Sequence, residues 1–212
     1  MYLGIDLTAS ERRASACALL SEGGRLLRLT AARTDADLLA LVRETGAGAV
    51  AVDAPIGLPA GLCCLEAACA CRPAAPDGLR ACERACMQRG IPLFVTNKRS
   101  IIKGMVYRAM GLRRDLEAAG IRVLEVYPYG AKVRLFGRRL PRKHTPEGLA
   151  FVQGRLAELV PGLPARALTH DELDAVLAAH VARLADLDGA EALGSADEGI
   201  IYLPRVPAAP GG

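Results

Sequence analysis

Met1-Tyr2-Leu3-Gly4-Ile5-Asp6-Leu7-Thr8-Ala9-Ser10 places a carboxylate inside the first apolar run of the chain. Residues 2–7 read as a strand, so Asp6 sits where a charge is costly unless it is paired or meets a cation. Working outward, residues 14–20 and 25–32 flank Glu22-Gly23-Gly24 and predict a hairpin. Thr34 is an N-cap candidate for a helix to about Thr45, with Asp35 and Asp37 in its first turn. Residues 48–54 form an apolar run stopped by Pro55, which predicts a buried strand ending on Asp53. Three strands, a helix and a fourth strand predict an α/β fold with a mixed sheet.

A segment rich in Cys, Pro and Gly interrupts that order at about 55–90 and reads as an insertion after the fourth strand. Helical pattern resumes near 78–89 and 98–119. Residues 121–127 predict a fifth strand ending at Pro128. Thr145-Pro146-Glu147 starts another helix, which ends by Pro161. Thr169-His170-Asp171-Glu172 is a capping box opening a helix to about Leu187. Residues 199–204 predict a returning strand. The expected organisation is one domain over 1–205 and a disordered tail over 206–212.

Composition narrows the class. Of 212 residues, 51% are hydrophobic and 24% charged, enough apolar material for a core. No apolar run approaches membrane-spanning length, and the start lacks a basic leader, so a cytoplasmic protein is expected. The net charge of +4 is unevenly spread. Residues 89–143 hold 14 Lys/Arg against 3 Asp/Glu, a balance of +11, whereas the rest balances at −7. A basic middle on an acidic chain predicts a polyanionic partner, with a merely solvated surface as the alternative.

Five acids stand in awkward places: Asp6, Asp53, Glu125, Asp171 and Asp174. Asp6 and Asp53 end strands, where ligands gather in α/β sheets. Asp171 and Asp174 are three apart on one helix face, and the small Ala175 and Ala178 continue it. Clustered carboxylates repel unless cations lie between them. Oxygen ligands suit Mg²⁺ or Mn²⁺, which support phosphodiester hydrolysis. The strand motifs contain no His, which speaks against a zinc hydrolase. Each acid has a plainer explanation: a turn cap for Asp6, an Asx turn for Asp53, an arginine partner for Glu125, helix-terminus placement for Asp171 and Asp174.

Four motifs follow in order: Gly4-Ile5-Asp6-Leu7-Thr8-Ala9-Ser10, Val52-Asp53-Ala54-Pro55-Ile56-Gly57-Leu58-Pro59, Glu125-Val126-Tyr127-Pro128, and His170-Asp171-Glu172-Leu173-Asp174-Ala175. As a set they resemble the predicted nucleases catalogued as domain of unknown function 429, from residue 4 to about 204. That family is assigned to the RNase H-like superfamily, alongside the RuvC-type Holliday-junction resolvases. The resemblance implies a mixed five-stranded sheet flanked by helices. It implies metal-ligand roles for Asp6 and for Asp171 or Asp174, and it matches Asp53 to the acid of the fourth strand. Glu125 matches the family's own motif. A homodimer is implied as well.

Outside the acids, Arg99, Lys103, Tyr107 and Arg114 recur near helical spacing and form a basic stripe that can track phosphates. Arg99, Lys103 and Tyr107 are the expected substrate contacts. Arg138, Arg139, Arg142, Lys143 and His144 form a second patch. Six of seven cysteines fall between Cys63 and Cys86. The expected ligands of a structural metal there, Zn²⁺ or an iron–sulfur cluster, are Cys64, Cys69, Cys71 and Cys82, with free thiols or disulfides as alternatives.

Taken together, a divalent-metal-dependent nuclease is expected, with a nucleic acid as partner and no membrane. The alternatives are a non-catalytic nucleic-acid- or metal-binding module and a phosphotransferase of the actin-like fold.

Overall fold

In the computed structural model, residues 1–206 are described. Alternating side chains and turn glycines set out β1 (Tyr2–Asp6), β2 (Ser15–Leu20) and β3 (Leu26–Ala32). Then come α1 (Asp35–Thr45), β4 (Ala49–Val52), α2 (Ala81–Gln88), α3 (Lys103–Ala118) and β5 (Arg122–Val126). The chain continues through α4 (Pro128–Phe136), α5 (Pro146–Leu159), α6 (His170–Asp186), β6 (Ala190–Ser195) and β7 (Gly199–Pro204). Of the tail expected over 206–212, residues 207–212 lie outside the described part. No helix among the described residues is long and apolar enough to cross a membrane.

The sheet has seven strands, not the five expected, in the order β3-β2-β1-β4-β5-β7-β6. β1 runs antiparallel to β2 and parallel to β4; β4 and β5 are parallel, as are β5 and β7. The extra width is an antiparallel hairpin of β6 and β7. β6 escapes sequence reading because Ala-Glu-Ala-Leu-Gly-Ser has no apolar alternation. α4 escapes it because Pro128, read as a stop, occupies the first turn of a helix, where its missing N–H costs nothing. The third predicted helix begins at Lys103 rather than 98. Residues 53–80 carry neither helix nor strand, and α2 lies at the end of the segment expected to be an insertion.

Strand alternation sorts the side chains. Leu3, Ile5, Val50 and Val52 face α1 and α3 in one cluster. Tyr2, Ala49, Ala51, Leu124 and Val126 face α6 in the other. A third, smaller cluster joins α2, α4 and the β6–β7 hairpin through Cys82, Cys86, Ile91, Val133 and Leu203.

The α6 face decides the site. A Cβ on Gly4 would stand 2.0 Å from Ala175 O and 2.4 Å from Ala179 N, so the α6 backbone lies directly on β1. Ala175, Ala178, Ala179 and Ala182 are fully buried there. Any side chain at Gly4 would lift the helix, and with it the acids of its first turns, away from Asp6.

Candidate metal centre

Asp6 is the last residue of β1, on the side that faces α6. Asp53 follows β4, and its N–H donates to Ile5 O at 2.9 Å, which fixes it beside Asp6. α6 begins at a complete capping box. Thr169 Oγ1 accepts from Glu172 N–H, and Glu172 Oε2 accepts from Thr169 N–H. That cap sets the rotation of the first turn and directs His170, Asp171 and Asp174 toward the sheet ends.

Asp171 and Asp174 differ. Asp174 is 4% exposed and pairs through Oδ1 with Lys132 Nζ. Its Oδ2 is 3.0 Å from His170 Nε2. Asp171, half-exposed, lies 3.3 Å from His170 Nδ1 and 3.6 Å from Arg13 Nη2. Side-chain atoms of Asp6, His170 and Asp171 able to bind a cation lie within 4.8 Å of one another. Burial, then the charges of Asp174 and Asp171, push the Asp6 carboxyl up to about 7. Burial, then the charges of Asp6 and Asp174, raise that of Asp53 well above the usual carboxylate range.

These groups line a cavity of about 750 Å³. Arg13, Arg138, Arg142, Lys143 and His144 also line it, together with the exposed aromatics Phe94 and Tyr129.

Asp6, Asp53, Asp171 and Asp174 are thus brought together; Glu125 also borders the cavity but is held apart from them by Arg80. Glu125 pairs in register with Val52, whose side chain belongs to the α1/α3 face, so alternation turns it away from Asp6 and Asp53. There Arg80 Nη2 and Nη1 donate to both carboxylate oxygens, at 2.7 and 2.8 Å, and Ile56 N–H donates to Oε2 at 3.0 Å. With its oxygens so engaged, Glu125 is a poor ion ligand, and the arginine-partner alternative is the one the structure contains.

Sequence reasoning missed Lys132, which sits on the helix taken for a stop. It also passed over His170 by looking for histidines only in the strands. The expected basic contacts lie elsewhere on the molecule. Arg99 precedes α3 and does not share its stripe, and neither Arg99, Lys103 nor Tyr107 lines the cavity. The Tyr107 hydroxyl accepts from Leu65 N–H and donates to Glu66, so it anchors the Cys-rich loop. The cavity is met instead by the second basic patch. The thiol grouping also changes: Cys63, Cys64, Cys69 and Cys71 gather, whereas Cys82 is buried with Cys86 in the third apolar cluster.

A family described as "Protein of unknown function (DUF429)" matches residues 4–198. No curated protein matches the chain. Among solved structures it is similar to a Thermus thermophilus RuvC structure, with 17% identity over 88% of this chain and 95% of that one and a TM-score of 0.44. It is also similar to T. thermophilus RuvC in complex with a Holliday junction substrate, with 16% identity over 93% and 98% of the two chains and a TM-score of 0.46.

Proposed function

The chain belongs to the DUF429 family, and we propose that its cavity is the active centre of an RNase H-like, divalent-metal-dependent nuclease. One observation carries the reading: four carboxylates from β1, the end of β4 and the start of α6 converge on one cavity, with the Lys132 ammonium paired to Asp174.

The residues fit a cation. Carboxylates packed this closely raise one another's pKa, and a divalent ion relieves the repulsion. Oxygen donors suit Mg²⁺ or Mn²⁺, and His170 beside them leans the choice toward Mn²⁺. When bound, such an ion activates water and stabilises a leaving phosphate-ester oxygen. Asp6 and Asp171, with His170, would hold it, and Asp53 and Asp174 complete the acidic wall.

The remaining roles belong to the chain itself. Lys132 fixes Asp174 from one side, and His170 Nε2 stands 3.0 Å from its other oxygen. Arg13, Arg142 and Lys143 meet phosphates at the cavity. Phe94 and Tyr129 offer flat faces to unstacked bases. Seven unpaired thiols suit a reducing cytoplasm. The homodimer implied by the resemblance is part of the same reading.

A second reading, a module that binds nucleic acid and metal without turnover, is favoured by one observation. Lys132 already occupies Asp174, leaving fewer free oxygens than two ions need. The phosphotransferase alternative has less support, because the described strands form one sheet and offer no second lobe for closing on a nucleotide.

A panel of junction, duplex and single-stranded DNA and RNA tests the proposal. Cleavage in Mn²⁺ or Mg²⁺ is expected, stopped by chelator and reduced roughly a thousandfold by Asp6→Asn. Salt-sensitive binding without cleavage, unchanged in Asp6→Asn, would establish the second reading instead.

A further inference from the structure

The segment between β4 and α2 contains a loop closed at its base. Glu198 Oε1 accepts from Ala60 N–H and Glu198 Oε2 from Ala81 N–H, both at 2.7 Å. Ala74 N–H donates to Ala60 O, also at 2.7 Å. Within the loop, Leu65 is the one fully buried apolar side chain. So small an apolar content does not hold about 20 residues in one shape, and excursions of this kind ordinarily need a covalent or metal staple.

Four cysteines supply one. The sulfur atoms of Cys63, Cys64, Cys69 and Cys71 lie within 4.8 Å of one another. We propose that these four thiolates bind a single structural zinc ion. Cys63 Sγ and Cys69 Sγ are 3.5 Å apart. That is well beyond a disulfide bond, and close to the separation of about 3.8 Å between sulfurs on a tetrahedral zinc with bonds of about 2.3 Å. An iron–sulfur cluster does not fit. In a four-iron cluster each thiolate takes a different iron, which spreads the sulfurs much farther apart. Four protein ligands also close the coordination sphere, which marks a structural rather than catalytic ion.

Binding is a proton exchange: four thiols release four protons as Zn²⁺ takes four thiolates. The product carries two negative charges. The Lys98 ammonium, which donates to Cys69 O, stands beside it. Tyr107 clasps the loop at Leu65 and Glu66, tying it to α3. The stapled segment begins at Ala54 and Pro55, which line the cavity, and ends at Arg80, which holds Glu125. The site is independent of the nuclease reading.

The test is metal content of the full-length protein purified without chelator, read by elemental analysis and by release with a thiol-blocking mercurial. About one tightly held zinc per chain is expected. It should fall at least tenfold in Cys63→Ser and Cys71→Ser and persist in Cys82→Ser and Asp6→Asn. Three results would overturn the proposal: no zinc in the parent protein, zinc retained without Cys71 or lost with Asp6, or an intact mass showing disulfides in place of thiols. Should the cysteine variants fail to fold, Co²⁺ loading of the parent protein decides. Intense visible bands with sulfur-to-cobalt charge transfer support four-thiolate tetrahedral binding, and a weak octahedral spectrum refutes it.

Discussion

Two groups of carboxylates stand at neighbouring strand ends and are treated in opposite ways. At the end of β5, Glu125 and Glu83 share Arg80. Its Nε meets Glu83 Oε1 at 3.0 Å, and its other two nitrogens take both oxygens of Glu125. Backbone N–H groups of Ile56, Thr96 and Arg80 fill further acceptor positions. Burial works against the charged guanidinium, but Glu125 outweighs it and holds Arg80 charged. At the ends of β1 and β4, four carboxylates face a cavity with Lys132 as their buried cation, and two have raised pKa values. A buried acid whose oxygens are all bonded is part of the framework. Acids crowded together beside open space repel one another, and on the proposed reading a cation relieves that repulsion.

The contrast can be broken most sharply at Arg80. Arg80→Met leaves Glu83 and Glu125 buried without their cation and should cost about 3–5 kcal/mol in chemical unfolding. Added Mn²⁺ should not restore that loss. A variant as stable as the parent would remove the framework side of the comparison.

A somewhat smaller effect is expected from pH. Asp6 ionises at 3.8 in its ordinary state and at about 7 in the fold, so the folded protein binds the extra proton between those values. Metal-free stability from this group should therefore be highest near pH 4 and fall by roughly 2–4 kcal/mol toward pH 7. Asp53, also raised, pushes in the same direction. Asp6→Asn should flatten the slope, and saturating Mn²⁺ should reduce it. Unfolding curves that are superimposable for parent and Asp6→Asn across this range would show that the acids do not repel.

The smallest effect is expected at Lys132. Lys132→Met leaves Asp174 with His170 alone and should cost about 1–3 kcal/mol in chelator. Here, unlike at Arg80, Mn²⁺ should recover most of the loss, because an ion can occupy the vacated side of Asp174. Thermal shifts with and without Mn²⁺ check this. Equal losses in both conditions would make Lys132 another framework cation.

Much of this was written in the sequence, and the omissions have definite causes. β1 to β5, β7 and the capped starts at Thr34, Thr145 and Thr169 follow from short apolar runs bounded by Gly or Pro and from cap chemistry, which act over a few residues. The gathering of the acids follows from two signals: Asp6 and Asp53 are charges ending apolar strands, and Asp171 and Asp174 share one face of a helix that small alanines let approach the sheet. The different orientation of Glu125 is also legible in outline. Leu124 and Val126 share one face, so Glu125 belongs to the other. Its partner was not legible, since Arg80 lies 45 residues away in sequence. Lys132 was hidden on a helix that opens with Pro128. Spacing alone does not set Cys63 above Cys82, because it does not reveal that α2 carries Cys82 into an apolar cluster.

A crystal of the full chain soaked in Mn²⁺ and measured for anomalous scattering probes the carboxylate pocket most directly. A peak is expected within bonding distance of Asp6 and Asp171, beside His170, and it should disappear in Asp6→Asn. Ordered density for all four acids with no peak among them, or a peak elsewhere only, would contradict it.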